Sequence, residues 1–110
     1  MENITHLTKS EEQVMLKLWL LKKASVKDLV ELYKTPKPAY NTVSTIVRIL
    51  EKKKFINHKK RGRGYVYLPS ISKESYASFL SNHLLENYFD SQPKKLISSI
   101  NKSKSLTDLL

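Results

Sequence analysis

Apolar residues recur along this chain at two spacings, three-to-four and two, and each spacing predicts a different element. Val14, Leu16, Leu18, Trp19 and Leu21 predict a mostly buried helix running to about Lys23. Thr8-Lys9-Ser10-Glu11 ahead of it has the form of a capping box, in which the hydroxyl accepts from an early helix N–H and the carboxylate reaches back. Ser25-Val26-Lys27-Asp28 is a second cap signal, opening a short helix with Val26, Leu29, Val30 and Leu32 inward. Thr35-Pro36-Lys37-Pro38 stops it, because each proline removes a donor and pushes the preceding residue out of the α region. A third helix is predicted from Ala39 or Tyr40 to Lys53, with Val43, Ile46, Val47, Ile49 and Leu50 on its core face. Trp19 and Tyr33 read as core or core-edge residues.

The pattern then changes to two β-prone runs, Phe55 to Lys60 and Tyr65 to Pro69, around Arg61-Gly62-Arg63-Gly64. This is a hairpin signal, and the chain's only two glycines lie in the turn, where they are expected to supply positive φ. After Pro69 helical spacing returns. Ser72 to Ser75 starts a fourth helix whose stripe holds Tyr76, Phe79, Leu80, His83, Leu84 and Tyr88, with Asn87 at its edge. Asp90-Ser91-Gln92 breaks it, and Pro93 suits the first position of a fifth helix with Leu96, Ile97 and Ile100 on one face. Leu106 to Leu110 reads as the first turn of something unfinished.

Three helices followed by a two-stranded wing describe a winged helix-turn-helix. The fold class is therefore mainly α with a small β-hairpin. A winged-helix DNA-binding domain over 1–70 is followed by a helical dimerisation region over 71–110. The stripe of the last two helices, Tyr76, Phe79, Leu80, Leu84, Tyr88, Leu96, Ile97 and Ile100, cannot be buried by such short helices alone. A second copy of the chain is the cheapest cover, so a homodimer is expected.

Charge narrows the partner. The 110 residues carry 20 Lys+Arg against 10 Asp+Glu, a net charge of +10 that predicts a polyanion. Between Arg48 and Arg63 there are eight basic residues and one acid, Glu51, a net +7, leaving +3 for the rest. The excess thus joins the end of the third helix to the wing. That helix offers Asn41, Thr42, Ser44 and Thr45 near its N-terminus, residue types that hydrogen-bond base edges in a major groove. Asn41 and Thr42 could also start the helix as N-cap residues, and both roles can hold because one cap does not use four polar residues. Arg48, Lys52 and Lys53 at the helix end, and Lys59, Lys60, Arg61 and Arg63 around the wing turn, suit DNA backbone phosphates. Tyr65 and Tyr67 alternate on the return strand, for strand packing or for stacking on a sugar.

Other chemistry finds little support. With no Cys, disulfides and thiolate metal sites are excluded. His6, His58 and His83 are far apart with no carboxylate at ligand spacing, so no metal or cofactor is expected. No phosphate-binding Gly loop or metal-binding helix motif occurs, and an enzyme is not expected. No apolar run is long enough to span a membrane, and Met1-Glu2-Asn3 lacks the start of a secretory signal, so a cytoplasmic protein is expected. Two alternatives stay open: a basic RNA-binding or ribosome-associated winged-helix module, and a winged helix used as a protein scaffold.

Leu7-Thr8-Lys9-Ser10-Glu11-Glu12-Gln13-Val14-Met15 with Leu18-Trp19 resembles the opening of the penicillinase repressor family, the BlaI, MecI and CopY type. So does the block Tyr40-Asn41-Thr42-Val43-Ser44-Thr45-Ile46-Val47-Arg48-Ile49-Leu50-Glu51-Lys52-Lys53, as do Tyr65-Val66-Tyr67 and Tyr88-Phe89-Asp90. The resemblance covers roughly residues 4 to 106. It implies a dimeric transcriptional repressor on an inverted-repeat operator, with bases read from Asn41, Thr42, Ser44 and Thr45 and dimerisation after Pro69. It also implies a membrane-bound zinc metallopeptidase sensor as a partner, and relief by cleavage of the repressor. The family's cleaved pair joins Asn to Phe, and the matching pair here is Ser99-Ile100. Where the family has Gly after the recognition helix this chain has Lys54, which a left-handed backbone would cost ~1 kcal/mol. Set against the family, the helical region is expected to lack most of the last helix.

Overall fold

A computed structural model describes residues 4–108, with side chains through 103. The expectation for Met1-Glu2-Asn3, and the side chains of Leu106 to Leu110, lie outside the described residues. Along the chain come α1 (Lys9–Leu21), α2 (Val26–Glu31), α3 (Tyr40–Lys52), β1 (Ile56–Arg61), β2 (Gly64–Pro69), α4 (Lys73–Tyr88) and α5 (Pro93–Asp108). The chain divides into two compact units, Met1–Ser75 and Tyr76–Leu110.

Both predicted capping boxes form. Thr8 Oγ1 accepts from the Glu11 N–H at 3.2 Å while Glu11 Oε1 accepts from the Thr8 N–H at 2.9 Å. Ser25 and Asp28 exchange the same pair of bonds at 3.1 and 3.0 Å. Each cap satisfies N–H groups that a helix start otherwise leaves without partners. α1 ends at Leu21, two residues before the expected end, because Lys22 turns to φ 72°.

The core face of each helix is narrower than the apolar pattern suggests. In α1 the buried apolar row is Val14, Met15 and Leu18, whereas Leu16 and Leu21 turn outward. Leu16 lies two positions from both Val14 and Leu18, about 200° around a helix, which rules it out of a common face with them. Leu32 and Ile49 are likewise exposed rather than inward, while Val26 and Leu29 in α2 and Val43, Val47 and Leu50 in α3 are buried. Trp19 is half-buried and its Nε1 donates to the Ile71 carbonyl at 2.9 Å, tying α1 to the segment after β2. Tyr33 is half-buried beneath the Lys17 ammonium, which lies 4.0 Å from the ring centroid. Burial pushes the Lys17 ammonium down and the Tyr33 phenol up.

β1 and β2 pair antiparallel with Ile56 opposite Pro69 and Arg61 opposite Gly64. The two-residue loop is Gly62-Arg63. Gly62 has φ 60° and Arg63 does not share it, the pattern of a type II′ turn. Positive φ is therefore needed at one glycine only, and Gly64 does not adopt it. Ala24 adds a short bridge to β2, exchanging backbone bonds with Tyr67 at 3.0 and 2.8 Å.

The corner between α3 and the wing is built tightly. Lys54 takes φ 70°, the Lys54 N–H donates to Glu51 O and the Phe55 N–H to Leu50 O, both at 3.0 Å. This is a Schellman ending with Lys where Gly is usual, and Phe55 drops into the core at 0% exposure. In the second unit Asp90 and Ser91 both adopt positive φ, the Ser91 N–H closes back on Leu85 O at 2.8 Å, and Pro93 opens α5 as expected.

Candidate nucleic-acid interface

α3 exposes two parallel rows, each at helical spacing. Asn41, Ser44, Arg48 and Glu51 form one; Thr42, Thr45, Ile49 and Lys52 form the other. The first row is the floor of a groove of about 670 Å³ between α3 and the wing. Its walls are Ser25, Val26 and Lys27 at the start of α2, Tyr40, and His58, Arg63, Gly64, Tyr65 and Tyr67 of the hairpin. An amide and a hydroxyl thus line a concave surface together with the cationic Lys27, Arg48 and Arg63.

The N-cap of α3 is Ala39, with no side-chain cap bond. Asn41 and Thr42 are therefore inside the helix and not spent on capping, which leaves their polar groups facing out. Thr45 Oγ1 donates to the Asn41 carbonyl at 2.9 Å, so its lone pairs and methyl are what it presents. Ser44 is half-buried; Asn41, Thr42 and Thr45 are exposed.

The basic residues separate into two groups. Arg48, Lys52, Lys59, Lys60, Arg61 and Arg63 are exposed. Lys53 is not available in the same way, because its Nζ holds both oxygens of Glu11 at 2.9 and 3.0 Å. Glu11 is 5% exposed, the buried charged side chain of this unit. Burial alone would push its carboxyl up. Hydrogen bonds from Lys53 and from the Thr8 N–H, with the Lys53 charge, outweigh that and hold it below the usual carboxylate range. Lys53 is thus part of the framework, since removing its cation would strand a buried carboxylate. Nothing in the linear pattern pairs residues 42 positions apart; only the packing of α1 on α3 does.

On the wing, directly opposed residues share a face. His58, Lys60, Tyr65 and Tyr67 lie on one, and Lys59 and Arg61 on the other. Tyr65 is 51% exposed, whereas Tyr67 is half-buried. Burial, then the nearby Glu51 carboxylate, push the Tyr67 phenol up, so it stays a neutral donor. His58 Nδ1 meets Glu51 Oε2 across the corner between β1 and α3.

Tyr40 and Lys27 line the groove but were not singled out by the sequence. Tyr40, 57% exposed at the first position of α3, carries no charge or periodic signal. Lys27 could have been found from the rule that the first helix of such a motif crosses the backbone.

The residues expected at a dimer contact lie in α4 and α5. Leu84, Tyr88, Ile97 and Ile100 are exposed, and Phe79, Leu80 and Leu96 half-buried. Tyr76 is already buried in the single chain and stacks on Phe79 with ring centroids 5.8 Å apart. Ser99 and Ile100 lie in the middle of α5 with helical backbone. No helix among the described residues is long and apolar enough to cross a membrane. Among those residues no group of three or more His, Asp or Glu could hold a metal.

Comparisons with known proteins bear on the family and the fold. The family profile described as Penicillinase repressor matches residues 7–109. The chain is 30% identical over 91 residues to the penicillinase repressor of Bacillus licheniformis, taking in 82% of this chain and 71% of that protein. The solved DNA-binding domain of the repressor BlaI is similar with a TM-score of 0.58 and 32% identity, over 69% of this chain and 94% of that one. Monomeric Bacillus licheniformis BlaI in complex with the blaP half-operator is similar with a TM-score of 0.56, at the same identity and coverage.

Proposed function

The chain belongs to the penicillinase repressor family of DNA-binding transcription regulators, and from that premise we propose that it represses transcription by occluding an inverted-repeat operator as a homodimer. One observation carries the reading: the row of α3 that holds Asn41, Ser44 and Arg48 floors a groove also lined by Lys27 and Arg63. In this reading Asn41, Thr42, Ser44 and Thr45 read base edges in the major groove. Arg48, Lys52, Lys59, Lys60, Arg61 and Arg63 hold phosphates, which sets register without reading sequence. It is a binding protein with no bond made or broken.

The relative captured on a half-operator is a monomer. Carried to this chain, one winged-helix unit takes one half-site, and two are joined through Leu84, Tyr88, Ile97 and Ile100, the apolar side chains left exposed on α4 and α5. Half-sites would then lie one or two helical turns apart. Control falls on the second unit. Cleavage at Ser99–Ile100 by a membrane metallopeptidase sensor would cut α5 through this stripe, once the helix had opened locally to admit a protease. Repression would then relax as the dimer separates.

In vitro selection of bound duplexes tests the reading, with Asn41→Ala measured on the recovered site. We expect a two-fold symmetric consensus, and a loss of ~1–3 kcal/mol for Asn41→Ala confined to one or two positions. Equal loss on the consensus and on mixed-sequence DNA would remove Asn41 from base reading. Recovery of no symmetric site would remove the paired operator.

A further inference from the structure

Glu51 is the one acid in a segment of net charge +7, and it lies on the row of α3 that floors the groove. A carboxylate there opposes a phosphate backbone. Its partner is His58 Nδ1 on β1, with the two side chains 32% and 44% exposed. The His58 ring is held in place by Tyr65, edge-on at 5.0 Å between centroids, and by Tyr67 at 6.0 Å. Among the described residues no other carboxylate lines this groove. The charge of the Glu51–His58 pair is therefore −1 when the imidazole is neutral and zero when it is protonated.

We propose that His58 is a positioning residue of the DNA interface, which in its protonated form neutralises Glu51, joins the recognition helix to the wing, and makes DNA binding take up a proton. The inference rests on the DNA-binding reading above. Histidine is the side chain type whose charge ordinarily changes between pH 5 and 8. The groups around it do not supply the same switch. From α3 they are Tyr40 and Arg48, and from α2 Lys27. From β2 they are Tyr65 and Tyr67, from the turn Arg63, and on the same face of β1 Lys60. Lysine, arginine and tyrosine are residue types whose charge ordinarily does not change over that range. By linkage, a form that binds DNA more tightly when protonated must gain its proton when DNA binds.

The experiment measures affinity for a fluorescent mixed-sequence duplex about three helical turns long, between about pH 5.5 and 8 at fixed ionic strength. The wild-type chain should bind roughly three- to fivefold more tightly at the acid end, the scale of one unit charge a few ångströms from phosphate in a wet groove. His58→Gln should lose that slope and stay at the weak level. His58→Arg should bind at the alkaline end as tightly as wild type at the acid end. Glu51→Gln should tighten binding at the alkaline end by the same factor. Thermal unfolding of each variant verifies that it is folded. An unchanged slope in His58→Gln would place the effect at another group and overturn the inference alone. So would a Glu51→Gln variant that binds no more tightly than wild type at the alkaline end. Absence of salt-dependent binding by the wild-type chain at every pH would overturn the DNA-binding reading as well.

Discussion

The described residues of 1–75 include twelve apolar side chains buried to 4% exposure or less, among them Val14, Met15, Leu18, Leu29, Leu50 and Phe55. Among the described residues of 76–110 only Tyr76 is buried to that degree, while Tyr88, Ile97 and Ile100 keep 70%, 55% and 55% of their surface in water. The same helical spacing of apolar residues thus has two outcomes. In the first unit three helices and a hairpin close on one core, and the polar rows of α3 are left over as a working surface. In the second, two helices have too few neighbours to close a core, and the apolar stripe itself is the surface. A small domain is stable only when enough apolar area leaves water. Helices that do not achieve this alone would be covered by the second copy proposed above.

Core truncation gives the largest contrast between the two. Phe55→Ala should cost ~3–5 kcal/mol in urea unfolding, since it empties a fully buried site at the wing corner. Ile100→Ala should scarcely change the unfolding of the first unit. Similar losses for both would erase the distinction.

The second test inverts the first. Leu84→Asp combined with Ile97→Asp should leave the first unit folded, halve the mass in sedimentation, and lower operator affinity by roughly two orders of magnitude, as one half-site is lost from the joint complex. These exposed positions separate association from folding better than Phe79, which is engaged with Tyr76. A dimer that persists would move the interface elsewhere.

A smaller effect divides the lysines of the first unit. Lys53→Ala should cost ~1–3 kcal/mol, less than for a fully buried pair because the Lys53 side chain keeps 35% of its surface in water. Lys60→Ala should cost almost nothing in stability and should instead flatten the salt dependence of DNA binding by roughly one counterion. The Glu11 part of this contribution has a defined sign. Its folded carboxyl is held low, so its stabilisation is present above the ordinary carboxylate range and is lost as pH falls through the depressed value. Acid titration of Glu11→Gln should show a shallower decline than wild type. Identical curves would leave the pair without a role in stability.

The smallest change concerns Lys54. With φ 70°, Lys54→Gly should raise stability by ~1 kcal/mol, read as a higher urea midpoint. A lower midpoint would mean that the Lys54 side chain contributes more than its backbone costs.

Much of the element order was legible because local signals agreed with one another. Thr8 with Glu11, Ser25 with Asp28, Pro93, and Gly62 each act within a few residues, and each forms as the pattern predicts. The helix faces were less legible. Leu16, Leu21, Leu32 and Ile49 are apolar and yet exposed, because residue type reports what could be buried while neighbours decide what is. The candidate site divides in the same way. Asn41 and Ser44 were visible as hydrogen-bonding residues on a basic helix, but not that Ala39 would leave Asn41 free of capping duty.

By itself the sequence determined the caps, breaks and turn, the placement of charge on the third helix and wing, and hence an anion-facing winged helix. These follow from hydrogen bonds and dihedral limits that act over a few residues. Only the tertiary structure decided which lysine serves the framework and which serves the surface. It also decided that Glu51 meets His58 at the corner between α3 and β1, and that Tyr40 and Lys27 line the groove. Those outcomes depend on which elements pack side by side. Partners such as Glu11 and Lys53 are far apart in the chain and meet only when the core closes.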